Sequence, residues 1–368
     1  MQAFISLKRP HILFRRQNVI IAIVLALLVL IQFSHGQDNR IPLKNGQMIF
    51  ASGMNMAWGD FAKDAVNLNV KTFKRALNDI SSNGGNSMRW WVHVNGSASP
   101  TFTNGMVSGL STEIENIKQV LDFAYERKVV ICLVLWSFDM LQDQDQDQAA
   151  MRNIVTDTTY THAYIDNALI PLVNALKGHS GLLCWEICNE PEGMTTQFGW
   201  TPTRVDMSDV QRFVNLLAGA IHRTAPNELV TNGSWSFRAN SDIGDYFNYY
   251  KDERLITAGG DSLGVLDFYQ VHYYDWGKTD LSPFHHPASY WKLDKPILIG
   301  EFQADGPLDK TPLEAYKYMY DNGYCGAWSW TWTGHDGNGD VNDAKPGMQY
   351  LRDHYPEDIV ITFFDGID

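Results

Sequence analysis

Leu182-Leu183-Cys184-Trp185-Glu186-Ile187-Cys188-Asn189-Glu190-Pro191 runs apolar from its first residue and then delivers a carboxylate against a proline. Leu182 to Ile187 reads as a buried strand. Pro191 has no backbone N–H to offer a neighbouring strand, so the sheet ladder stops there. Pro296-Ile297-Leu298-Ile299-Gly300-Glu301 repeats the build, an apolar strand that ends on a glutamate. Outward from these two, short apolar runs recur at Met48–Gly53, Ser87–Val92, Val129–Leu135, Glu228–Thr231, Leu266–Val271 and Ala327–Thr331. Segments of helical period separate them: Ser111 to Arg127, Ser208 to Arg223, and a stretch from Pro312 through Tyr320. Apolar side chains recur there on one face, and proline suits a first helical turn. Eight strands alternating with helices predict an α/β chain folded as a single (β/α)8 TIM barrel, with a doubly wound sheet as the alternative.

The N-terminus reads differently. Lys8, Arg9, Arg15 and Arg16 precede an uncharged run from Val19 to Phe33, and Ser34-His35-Gly36 follows. This is the pattern of a secretory signal peptide over residues 1–36, leaving a catalytic barrel over 37–368. The rival reading, an uncleaved anchor, needs ~20 apolar residues to span a bilayer. The chain carries 29 Lys+Arg against 42 Asp+Glu. Removing the four basic residues of the leader leaves 25 against 42, or −17. That charge argues against nucleic acid and anionic membranes as partners and favours a neutral ligand. A secreted, extracellular monomer is expected, with no stable membrane association once the leader is gone. The four cysteines lie in or beside apolar strands and read as buried thiols, with one bridge between neighbouring strand ends as the alternative. No cofactor or metal is expected. Asp336-Gly337-Asn338-Gly339-Asp340 starts like a calcium loop, but Val341 and Gly347 stand where such a loop needs Gly and Glu, so an ordinary loop is expected. Of two glycosylation sequons, Asn95 is the plausible acceptor and Asn232 lies too near the strand ends.

In a barrel the strand C-termini converge on one face and are read together. They are Asn55 and Trp58, Arg89 and His93, Trp136, Asn189 and Glu190, Asn232 and Trp235, His272 and Tyr274, Glu301, and Trp330 with Trp332. Cleavage of a glycosidic acetal needs one protonated carboxyl to give a proton to the leaving oxygen. It needs a second, ionised one to attack the anomeric carbon or activate water. Indole faces bind the apolar face of pyranose rings, and amides and arginine satisfy hydroxyls. Glu190 and Glu301 supply the carboxyl pair. Glu186 lies four residues, ~13 Å, deeper along its strand and is expected to be a barrel-interior carboxylate paired with a cation or hydroxyl. Taken singly, each residue has a plainer role: Glu301 a rim ion pair, His272 a satisfied core histidine, one of the last tryptophans core packing.

These residues also carry a family resemblance. Trp185-Glu186-Ile187-Cys188-Asn189-Glu190-Pro191 resembles the Tyr-Glu-Ile-x-Asn-Glu-Pro signature of glycoside hydrolase family 5. His272-Tyr273-Tyr274, Ile299-Gly300-Glu301, Met88-Arg89 and Trp328-Ser329-Trp330-Thr331-Trp332 are similar to its other strand-end motifs, over essentially all of 41–368. Ser87 through His93, Leu135-Trp136-Ser137 and the closing tryptophans resemble the animal, mollusc-type mannan-cleaving members. The resemblance implies retaining hydrolysis of internal β-1,4 bonds in mannan, glucomannan and galactomannan. Glu190 would be the acid/base and Glu301 the nucleophile. Arg89, Asn189, His272, Tyr274, Trp330, Trp332, Trp58, His93 and Trp136 would contact substrate or hold the carboxyls. Many family cellulases place a histidine where this chain has Ser137, which favours mannan over glucan. An endo-β-1,4-glucanase on the same scaffold, or a barrel that binds sugar without cutting it, are the alternatives.

Overall fold

The computed structural model describes residues 39–144 and 146–363. Eight parallel strands close into a barrel: β1 (Ala51–Asn55), β2 (Ser87–Val94), β3 (Val130–Ser137), β4 (Leu182–Asn189), β5 (Leu229–Ser234), β6 (Tyr269–His272), β7 (Ile297–Glu301) and β8 (Gly326–Ser329). Neighbours in sequence are neighbours in the barrel, and β8 pairs with β1 to close it. Every expected strand is present. The first begins later than its hydrophobicity implied, because Met48–Ile49 pairs antiparallel with Ile41–Pro42. Ile41 and Ile49 join the apolar cluster that fills the barrel interior, so this hairpin covers the end opposite the strand C-termini.

Alternation divides two apolar layers. On β2, Met88, Trp90 and Val92 face the helices; on β3, Val130, Cys132 and Val134 face inward. Helices Val70–Ser82, Glu113–Glu126, Met207–Thr224, Pro312–Asp321 and Val341–His354 bury their apolar stripes on the outer layer. Thr311 and Glu314 form a capping box at the start of Pro312–Asp321. Thr112 caps Glu113–Glu126 by position only, since its hydroxyl donates to the Val66 carbonyl instead. The unit between β6 and β7 departs from the regular pattern, with short 3₁₀ turns in place of a helix.

All four cysteines are buried and unbridged, as the apolar setting implied. The expected leader falls outside the described residues. No described helix is long and apolar enough to cross a membrane. Asn95 is buried and its side-chain nitrogen donates to Asp143 at 2.6 Å, so the fold closes the sequon there to a glycosyl group.

Candidate active site

Three irregularities at strand ends build the site. A one-residue slip in a strand's register turns its side chains to the opposite face. Such a shift between Glu186 and Asn189 brings Asn189 inward together with Glu186, although simple alternation would have placed them on opposite faces. Glu190 then adopts a left-handed backbone, φ 44° and ψ 50°, so two consecutive side chains face the cleft. Its N–H is held by the Gly233 carbonyl at 2.7 Å. A third irregularity, between Val271 and His272, pairs His272 with Glu301 across β6 and β7.

Arg89 sits fully buried at the centre and engages all five guanidinium donors. Nε and Nη2 grip Glu186 at 2.7 and 2.6 Å. The second Nη2 hydrogen reaches Asn189 Oδ1 at 2.8 Å, and Nη1 reaches Asn55 Oδ1 at 2.9 Å and Glu301 Oε1 at 2.7 Å. Glu186 is therefore the interior counter-ion its depth implied, further bonded by Gln270 at 2.8 Å. Gly233 permits this packing, since a Cβ there would stand 2.3 Å from Glu186 Oε1. Glu301 also accepts from the Tyr274 hydroxyl at 2.9 Å.

An oxygen of Glu190, a ring nitrogen of His272 and an oxygen of Glu301 all lie within 4.8 Å of one another. Retaining hydrolysis places its carboxyls about 5–5.5 Å apart and inversion about 6.5–9.5 Å, so the spacing is the retaining one. Burial pushes Glu190 up to about 7, against the pull of the Arg89 charge and aided by Glu186. Burial also raises Glu301, with the charge of Glu190 adding to it, while His272, the charge of Arg89 and the Tyr274 hydroxyl oppose it there. Only Glu301 receives direct hydrogen bonds from both, and hydrogen bonds to a carboxylate favour its anion. Burial lowers His272 to about 4, so its imidazole is neutral. Gln270 turns its amide nitrogen to Glu186 and lies 3.5 Å from His272 Nε2, which leaves Nε2 the acceptor. The ring proton is then on Nδ1, donating to Glu190 Oε1 at 3.0 Å.

Residues 44–336 match the family described as Cellulase (glycosyl hydrolase family 5). The chain belongs to that family. It is 35% identical over 336 residues to the mannan endo-1,4-beta-mannosidase of Mytilus edulis, covering 84% of this chain and 89% of the relative. The solved endo-1,4-beta-mannanase of Eisenia fetida superposes with a TM-score of 0.79 at 36% identity, over 87% of this chain and 97% of that one. The beta-1,4-mannanase of the sea hare Aplysia kurodai superposes with a TM-score of 0.81 at 32% identity, over 89% and 99%.

Around the family 5 carboxyl pair the strand ends open into a cleft of about 480 Å³. Of the residues expected there, Trp58, Trp235, Trp330, Asn189 and Tyr274 line it with Glu190 and Glu301. Arg89 and His272 sit beneath and touch the carboxyls. Three expected contacts lie elsewhere. The register shift between Trp91 and Val94 turns His93 away from the cleft. His93 is buried against Ser99, at 2.7 Å, with Trp136 and Tyr164 around it. Burial lowers it to about 3, which makes it a neutral structural histidine. Trp136 is fully buried in the same aromatic knot. Strand β8 ends at Ser329, so alternation does not carry on to Trp332, whose indole N–H donates to Asp79 on helix Val70–Ser82.

Sequence reasoning missed other cleft residues. Trp91 stands two residues after Arg89 on one strand, so parity alone could have found it. Trp200 and Trp276 come from loops with no periodic signal. Asp336, assigned to an ordinary loop, lines the cleft and accepts the Trp330 indole N–H at 3.0 Å. Asp139 also lines it, bonded by the Ser137 hydroxyl at 2.6 Å and pushed to about 6 by burial.

Proposed function

We propose that this chain is a secreted, monomeric endo-β-1,4-mannanase that cuts internal bonds of mannan, glucomannan and galactomannan with retention. The observation that carries this reading is the carboxyl pair, Glu190 and Glu301 within 4.8 Å, set in a tryptophan-lined cleft. Glu301, kept anionic by Arg89 and Tyr274, attacks the anomeric carbon. Glu190, protonated and oriented by His272, gives its proton to the departing oxygen. The product is a glycosyl ester on Glu301 and a shortened chain. Water then enters, Glu190 takes its proton, and attack at the same carbon frees Glu301. Asn189 holds the 2-hydroxyl of the attacked sugar, and Trp330 lies under its ring.

Mannan as substrate is supported by the relatives, which are named as mannanases, and by Ser137 where many family cellulases have histidine. Secretion is supported by the basic and apolar leader over 1–36. The test measures reducing ends released from galactomannan, glucomannan and carboxymethylcellulose side by side, with viscosity followed in parallel. The expected result is rapid loss of viscosity on both mannans and mixed oligosaccharide products. Faster release from carboxymethylcellulose would make the chain a glucanase, and mannose as sole product would make it exo-acting.

A further inference from the structure

Glu192 follows the acid by two residues and is fully buried, yet nothing in the two-carboxyl mechanism uses it. The Tyr250 and Ser234 hydroxyls donate to its Oε1 at 2.6 and 2.7 Å, and the Trp235 backbone N–H donates to Oε2 at 3.2 Å. All three donors come from the end of β5 or the loop that follows it. The same strand holds the acid itself, through Glu190 N–H to Gly233. A left-handed backbone at a residue other than glycine is strained and persists only where its surroundings fix it. Beyond Glu192, Trp200 lies over Gly193, where a Cβ would stand 2.5 Å from the indole ring, and Trp200 N–H bonds the Gly193 carbonyl at 3.0 Å. The turn Glu190-Pro191-Glu192-Gly193 thus carries the proton donor at one end and an aromatic platform at the other, and Glu192 ties its middle to a second platform, Trp235.

We propose that Glu192 is a positioning residue that locks the acid turn to the Trp200–Trp235 platforms, so that proton donor and leaving-group sugar are held as one unit. The proposal rests on the reading of Glu190 as the acid. A proton is given to the departing sugar's oxygen, so that sugar lies on the Glu190 side, where these two indoles stand 5.8 Å apart. In Glu192→Gln the amide can still accept from the hydroxyls, but its NH2 then faces the fixed N–H of Trp235, donor against donor. The link that breaks is the one to the platform.

The test compares kcat/KM for mannan with kcat/KM for a dinitrophenyl β-mannoside, whose leaving group needs neither proton nor platform. Glu192→Gln is expected to lose roughly tenfold or more on mannan, part of the 10²–10⁴-fold that a positioned acid supplies, with the aryl substrate within about twofold of wild type. Tyr250→Phe, which removes one donor and no volume, should show the same selectivity to a smaller degree. Equal losses on both substrates, or a lower Tm with both rates unchanged, would make Glu192 a structural carboxyl and overturn the proposal. Glu190→Gln, run alongside, separates the two readings. If it falls equally on both substrates, the acid assignment fails, whatever Glu192 does.

Discussion

The two walls of the cleft are built on opposite plans. On the β1–β2–β8 side, Trp58, Trp91 and Trp330 cross one another with ring centres 5.0–5.8 Å apart. Trp91 and Trp330 are only 4% and 6% exposed, and Asp336 fixes the Trp330 indole. On the other side Trp276 stacks on Trp235 at 4.8 Å, while Trp200 and Trp276 are 41% and 48% exposed on their loops. Rigid indoles near the anomeric centre suit a sugar that must be distorted in one way. Exposed indoles on loops suit a departing chain that binds in one form and leaves in another. Glu301 is bonded from strand β2 and the end of β6, whereas Glu190 begins the loop that carries Trp200. The difference between the walls is therefore also a difference between the two carboxyls.

The largest expected effect separates those carboxyls. Glu301→Gln should abolish turnover of mannan and of an activated aryl mannoside alike, because both need the nucleophile. Glu190→Gln should lose about 10²–10⁴-fold on mannan while the aryl substrate still forms its glycosyl ester in single-turnover assays. If mannan is cut at the wild-type rate by Glu190→Gln, the loop side does not supply the acid.

The pH profile sharpens the same contrast. In the proposed mechanism Glu190 acts protonated, and burial raises it to about 7, so kcat/KM on mannan should fall as pH rises through about 7. As the proposed nucleophile Glu301 acts ionised, so activity should also fall on the acid side as it takes up a proton. With the dinitrophenyl leaving group the alkaline fall should vanish and the acid fall stay. An alkaline fall common to both substrates would assign the titration to a group other than Glu190.

How much of this is legible in the sequence depends on where each side chain is carried. Strand number, the carboxyl pair and Arg89 follow from apolar runs and their last residues, because a barrel brings strand ends together without reference to distant sequence. Depth along the strand is enough to place Glu186. His93 and Trp136 are misplaced because standing at a strand end does not say which face a side chain takes, and no local composition marks the register shift that turns His93. Trp332 is misplaced because its strand ends three residues earlier. The outer wall is mostly illegible, since Trp200 and Trp276 depend on loop folding and on contacts such as Glu192 with Trp235.

Truncating one indole from each wall tests whether the plans differ in function. Trp330→Ala removes a buried platform beside the carboxyls and should cost about 2 kcal/mol or more, roughly thirtyfold in kcat/KM, mostly in kcat. Trp276→Ala removes an exposed ring and should cost about 1 kcal/mol, read mainly as a higher KM for long manno-oligosaccharides. Equal kcat losses for the two would mean that the outer wall shapes the transition state no less than the inner one does.

The smallest effect belongs to the tryptophan that sequence placed in the cleft and the fold did not. Trp332 packs on the outer layer, its indole N–H 3.1 Å from Asp79 Oδ2 and the Arg75 guanidinium 5.6 Å from its ring. Trp332→Phe keeps an aromatic ring there and deletes one hydrogen bond to a charged acceptor. Such a bond contributes about 1.5–3 kcal/mol at most, and less where water reaches it. Thermal unfolding should therefore move down by a few degrees. The KM and kcat for manno-oligosaccharides should stay at wild-type values, since the residue lies outside the cleft lining. A raised KM with an unchanged Tm would return Trp332 to the substrate and would mean that the rigid wall extends past Trp330 after all.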